Sequence, residues 1–232
     1  MQLAPGIHSI GGRKGGHVHA FLLEDGPDLT LIDTLYELDG RLILAAIQRL
    51  GRSISDLKRI AITHAHRSHL GGVATLKRLS GATVLSHEWE AGIVSGDRKA
   101  KRVTIALRLP LRAYFPFQVG LALGLGNHPA CPVDDTLNDG DEIGGMQVLH
   151  APGHTPGHLA FYSPERGILI SGDAIATWPR FETGWPAFTL DEEAHRASIR
   201  RMAVLEPKAV GVGHGDPITT QAAERVNSLV DH

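Results

Sequence analysis

Apolar residues first appear as short runs at 6–10, 18–23 and 29–33, separated by Gly11-Gly12, Gly15-Gly16 and Asp25-Gly26-Pro27. Runs of that length between turn-forming residues predict β-strands. The period then changes. Leu42, Ile43, Leu44, Ala46, Ile47 and Leu50 recur at helical spacing, and Gly51 ends the predicted helix. A strand at 59–62, an amphipathic helix at 72–79, a strand at 82–86 and a short helix opening at 87–90 follow. Beyond residue 131, strands are predicted at 142–143, 146–150, 159–162 and 167–171. A helix over 190–206 carries Asp191, Glu192 and Glu193 at its positive end, ahead of a strand at 209–213 and a last helix at 217–230. Periodicity alone makes this a mixed α and β chain.

The pattern fails between 97 and 131. That stretch opens basic, with Arg98, Lys99, Lys101 and Arg102, and continues through Pro110, Pro116 and a Leu/Gly-rich run. Long irregular stretches in compact domains usually carry function, so it reads as a lid or insertion within a single domain spanning 1–232.

Composition narrows the class. The chain has 232 residues, 42% hydrophobic and 21% charged, an ordinary globular balance that allows a sizeable core. A net charge of −2 gives no electrostatic reason to expect nucleic acid or an anionic membrane as partner. The single cysteine, Cys131, excludes an internal disulfide framework and fits a reducing, cytoplasmic setting; it reads as a buried thiol. No signal-peptide pattern or membrane-spanning run is visible. Histidine is the outlier, with 14 copies.

Several of those histidines follow predicted strands. Thr63-His64-Ala65-His66-Arg67-Ser68-His69-Leu70-Gly71-Gly72 comes directly after the 59–62 run. Spacings of two and three cannot share one face of a helix or strand, but they fit a tight loop that aims imidazoles at one point. Neutral imidazole is the commonest protein ligand for Zn, Fe and similar ions. Pro152-Gly153-His154-Thr155-Pro156-Gly157-His158, Ser171-Gly172-Asp173-Ala174 and Gly213-His214-Gly215-Asp216 repeat the arrangement of strand, glycine and potential ligand.

These four motifs, in this order, resemble the metallo-β-lactamase-fold metallohydrolases, a group that includes glyoxalase II, lactonases and persulfide dioxygenases. The resemblance runs from about residue 6 to 216. It implies an α/β fold, a four-layer αββα sandwich, with the metal site at one edge of the two sheets. It also implies that His64, His66 and His154 hold a first metal. Asp173 would bridge to a second, which His69 and His214 would also bind. A metal-bound hydroxide would be the nucleophile, and Asp33 would orient ligands. The family's further catalytic position falls on Ser68, where Asp is usual. A neutral hydroxyl is a poor ligand, so the second metal is expected to bind more weakly or not at all.

The implied activity is metal-dependent hydrolysis of an ester, lactone, thioester or amide in a small, partly apolar molecule, with one or two Zn2+ per chain. Fe2+ and Mn2+ are the alternative metals. His64, His154 and Asp173 could also form the two-His, one-carboxylate set of a mononuclear Fe(II) dioxygenase for a persulfide-type thiol. A member that lost catalysis with Ser68 and only binds ligand is the third reading. His158 is expected to hydrogen-bond structurally, and His87 is a candidate for substrate contact. Trp178, Phe181, Trp185 and Phe188, with Tyr114, Phe115 and Phe117, are expected either to wall an apolar pocket or to pack against each other or in a homodimer interface.

Overall fold

The computed structural model describes residues 1–99, 126–184 and 188–230. The expected lid at 97–131 therefore lies mostly outside the described residues, as do Tyr114, Phe115, Phe117 and Trp185.

The N-terminal half contains β1 (Gln2–Ala4), β2 (Ile7–Gly12), a one-turn α1 (Lys14–His17), β3 (Val18–Asp25), β4 (Asp28–Ile32), β5 (Leu57–Ala61), β6 (Thr83–Ser86) and β7 (Asp135–Thr136). Strands β1 to β4 pair antiparallel in sequence, and β4 to β7 continue in parallel. The parallel part needs crossovers, supplied by α2 (Arg41–Arg49), the short α3 (Arg67–Leu70), α4 (Val73–Ser80) and α5 (Glu88–Val94). The C-terminal half has β8 (Glu142–Ile143), β9 (Met146–His150), β10 (Leu159–Ser163), β11 (Ile168–Ala176) and β12 (Ala209–His214), with helices α6 (Glu192–Val204) and α7 (Ala222–Asn227). Strands β8 to β11 are antiparallel, and β12 lies parallel to β11.

Strand alternation divides the side chains among three cores. Leu22, Leu31, Ile60 and Val84 face Ile43, Ile47, Val73 and Leu76 of α2 and α4. Their strand neighbours Phe21, Leu23, Ile32, Ala61 and Leu85 face the other way, onto Val148, Phe161, Ile168 and Ile170 from the C-terminal half. Leu169, Val210 and Val212 then meet Ile199, Met202 and Ala203 of α6. Three cores mean four layers, helix, sheet, sheet, helix, as expected. Truncating a buried Phe such as Phe21 or Phe161 typically costs about 3–5 kcal/mol, so the middle layer is a strong joint between the halves.

Local chemistry supports these elements. The Asp191 side chain caps α6 by accepting from Ala194 N at 2.9 Å, and the buried His195, Ser198, Ile199, Met202 and Ala203 mark its inner face. Gly81, at φ +72°, ends α4 in the left-handed region that favours glycine.

Two expectations needed correction. Strand β11 runs on through Asp173 to Ala176, where an end at 171 was expected; register shifts on either side of Gly172 let the ladder continue past the turn-like Gly172. The last helix is shorter than 217–230, because Ile218 instead bridges back to Val210 and leaves only Ala222–Asn227 helical.

The halves touch edge to edge at β3 and β12, through one pair, His214 and Val18. At this narrow seam the strand ends from both halves come together.

Candidate metal centre

Five histidines and one aspartate converge at the seam. Donor atoms of His64, His66, His154 and Asp173 form one group, and those of His69, Asp173 and His214 another, each within 4.8 Å. His64 and His66 stand in the loop after β5, His69 on α3, His154 in the loop after β9, Asp173 within β11 and His214 at the end of β12. The sequence motifs thus meet at one place, with Asp173 common to both groups. Ser68 lies half-buried on α3 and belongs to neither group.

The spacing tests whether a metal fits. His66 Nδ1 lies 3.0 Å from both His64 Nε2 and His154 Nε2. One proton on His66 Nδ1 could serve only one of those contacts well, whereas a cation among the three serves all. Asp173 Oδ2 lies 3.5 Å from His64 Nε2 and His154 Nε2, and 3.3 Å from His214 Nε2. Its Oδ1 is 3.3 Å from His69 Nε2, yet neither of those two buried atoms has a hydrogen-bond partner. Ligand atoms about 2.0–2.1 Å from a tetrahedral metal stand about 3.3–3.4 Å apart. The donor set fits a divalent metal.

The outward nitrogens are held as well. Asp33 accepts from His69 Nδ1 at 2.8 Å, and from the Thr63 N–H and hydroxyl at 2.9 and 2.8 Å. His214 Nδ1 donates to Gly16 O at 2.7 Å. Both bonds leave Nε2 turned toward Asp173. His158 Nε2 accepts the Asp173 N–H at 3.1 Å, the structural role expected for it. The motif glycine Gly213 is needed for space: a Cβ there would lie 2.0 Å from Asp173 Oδ1.

Electrostatics separate the two groups. Burial lowers the pKa of His64 and His154 well below the usual value and that of His66 to about 4, with neighbouring histidines adding to the effect and Asp173 opposing it. These imidazoles are neutral at pH 7, the form that binds metal. For His69, burial is outweighed by the carboxylates of Asp173 and Asp33, which raise it to about 10. Burial would raise Asp173, but His214, His69 and His64 pull it well below the ordinary carboxylate range.

The surrounding aromatics divide. The Phe188 ring stands edge-on to His66, with centroids 5.9 Å apart, and Trp178 tilts against His17 at 5.3 Å. Phe181, expected either to wall a pocket or to pack within the protein, packs on the outer C-terminal core with the Arg225 guanidinium 4.5 Å over its ring. The apolar surface under α6 and α7 draws it there. His87 caps α5 by accepting from Trp89 N at 3.1 Å and stacks on His150 at 4.6 Å. Cys131 is buried. Sequence reading missed Glu90, a buried carboxylate behind the two histidine loops. Nothing in its local sequence marked it.

Layers, seam and donor cluster together form an αββα architecture with a candidate metal centre where its two sheets meet. The chain belongs to the metallo-beta-lactamase superfamily, whose sequence profile matches residues 13–214. It is similar to the probable metallo-hydrolase YflN of Bacillus subtilis, at 28% identity over 99% of this chain and 94% of that protein. A hydroxyacylglutathione hydrolase of Rhodobacter capsulatus is 35% identical over 68% of this chain, which spans only 48% of that relative's length. The crystal structure of TTHA1623 in a di-iron-bound form matches with a TM-score of 0.65 at 29% identity, covering 90% of this chain and 93% of that one. Among the described residues, no helix is long and apolar enough to cross a membrane.

Proposed function

We propose that the protein hydrolyses an ester, lactone, thioester or amide bond in a small, partly apolar molecule, in the cytoplasm, at a centre that uses one or two divalent metals. The observation that carries this reading is the convergence of three neutral imidazoles and the Asp173 carboxylate within 4.8 Å. His64, His66, His154 and Asp173 would hold the first metal, and His69, Asp173 and His214 the second. A metal held there supplies a water of lowered pKa and polarises a carbonyl oxygen. The chain's own work is positional. Asp33 and Gly16 O fix the tautomers of His69 and His214, and Asp173 holds the two groups together. Phe188, beside His66, offers an apolar contact to the acyl part of a substrate.

Zn2+ is the first choice for the imidazole-rich set; the di-iron relative makes iron the alternative. His66 is the residue that favours hydrolysis over a two-His, one-carboxylate dioxygenase, because it stands in the same group as His64 and His154. The hydroxyacylglutathione hydrolase relative makes a glutathione thioester the first substrate to try. The test combines metal analysis with turnover of thioester, ester and lactone substrates under nitrogen. Anaerobic hydrolysis by metal-loaded protein is expected. Oxygen consumption with a persulfide and no hydrolysis would overturn the reading, and ligand binding without turnover would leave only a binding module.

A further inference from the structure

Glu90 lies on α5, in neither donor group, and is fully buried. A buried carboxylate is costly unless donors surround it. Here Oε2 accepts from the Ala65 N–H at 2.9 Å, while Oε1 accepts from the Thr155 hydroxyl at 2.5 Å and the Gly157 N–H at 3.1 Å. Ala65 is the residue between His64 and His66, and Thr155 follows His154. One carboxylate therefore bonds to both loops that carry the three histidines of the first group. Those loops come from different halves of the fold, after β5 and after β9.

The surroundings are shaped to this contact. A Cβ on Gly157 would lie 2.9 Å from Glu90 Cγ and Oε1, and equally close to His87 Nδ1. The glycine of the second histidine motif thus makes room for Glu90. Only a carboxylate offers acceptor oxygens on both sides. A glutamine would turn its amide N–H groups toward one loop or the other, setting donor against donor.

We propose that Glu90 is a positioning residue, a clamp that ties the two histidine loops together and holds His64 Nε2, His66 Nδ1 and His154 Nε2 at metal-binding distance. This rests on the metal-centre reading above. A helix-anchoring role alone would call for stability, not for bonds to the residues flanking three ligands.

The test is Co2+ titration of metal-free wild type, E90Q and F161L, following visible absorption, chelator-competition affinity and Tm. F161L loosens the middle core away from the centre and controls for lost stability. Partners behind metal ligands typically change affinity by about 10–100-fold, so E90Q should bind Co2+ that much more weakly, with an altered spectrum. F161L should lose Tm yet keep wild-type affinity and spectrum. Wild-type affinity and spectrum in E90Q would overturn the clamp, as would a parallel loss of affinity in F161L. If E90Q fails to fold, T155V, which removes one donor, reads the same contact: weaker Co2+ binding supports the clamp and unchanged binding overturns it. Wild-type protein that takes up no Co2+ would sink the metal centre and the clamp together, whereas Co2+ bound equally by wild type and E90Q sinks the clamp alone.

Discussion

The two donor groups at the seam share Asp173 but differ in almost everything else. The first joins it to three imidazoles whose pKa values are held down, leaving lone pairs free of protons. The second has two imidazoles, and His69 lies between Asp33 and Asp173, which raise its pKa to about 10. A metal entering the first group meets ready ligands. One entering the second must displace a proton from His69, with the neutral Ser68 nearby on α3 adding no carboxylate. One scaffold thus presents a prepared site beside a contested one.

Removing one histidine from each group should give the largest difference between them. H154A should abolish tight binding at the first group and lower hydrolysis by about a thousandfold, roughly 4 kcal/mol of transition-state stabilisation. H214A should cost at most the second metal and leave the first bound. Metal analysis and turnover, measured together, check this; equal losses in the two variants would erase the distinction.

Next in size is acid destabilisation of the metal-free protein. Burial holds His66 and His19 at about 4 and His158 at about 3. Unfolded histidines titrate at about 6.5, so from there down to about pH 4 the unfolded chain binds more protons and stability decreases as the pH is lowered. His66 alone accounts for about 3 kcal/mol of that loss. His69 works in the opposite sense: its contribution is complete below about 6.5 and lost as pH rises through about 10. Urea midpoints across pH should therefore peak near neutrality and fall more steeply on the acid side. A flat profile from pH 7 to 4.5 would contradict the neutral first group.

The smallest effect sharpens the contrast. S68D should raise affinity for the second metal by about tenfold, or ~1.4 kcal/mol, in a two-site competition titration. Two metals bound equally tightly by wild type and S68D would mean that Ser68 is no handicap.

Much of this was legible from residue order. The short apolar runs marked most strands, because alternate side chains of a buried strand must both be apolar when each face meets a core, as Phe21 and Leu22 do. The histidine motifs carried their own signal, since each sets a potential ligand beside a glycine directly after a predicted strand. The continuation of β11 past Gly172 was not legible: it depends on pairing with β12, some 40 residues on. Which of its two expected roles Phe181 takes was not legible for a similar reason, its surroundings being set by α6 and α7 rather than by Asp173.

Residue order alone carried the candidate ligand types, the order of the four motifs and the hydroxyl at Ser68, because those are properties of single residues and their near neighbours. Packing settled that Asp173 is common to both donor groups, that His69 sits between two carboxylates and that Glu90 bonds to both histidine loops. Each of those depends on bringing β5, β9, β11 and α5 within hydrogen-bond reach across the seam. Distances of 3 Å between residues as far apart as His66 and His154 arise from packing, which local pattern does not encode.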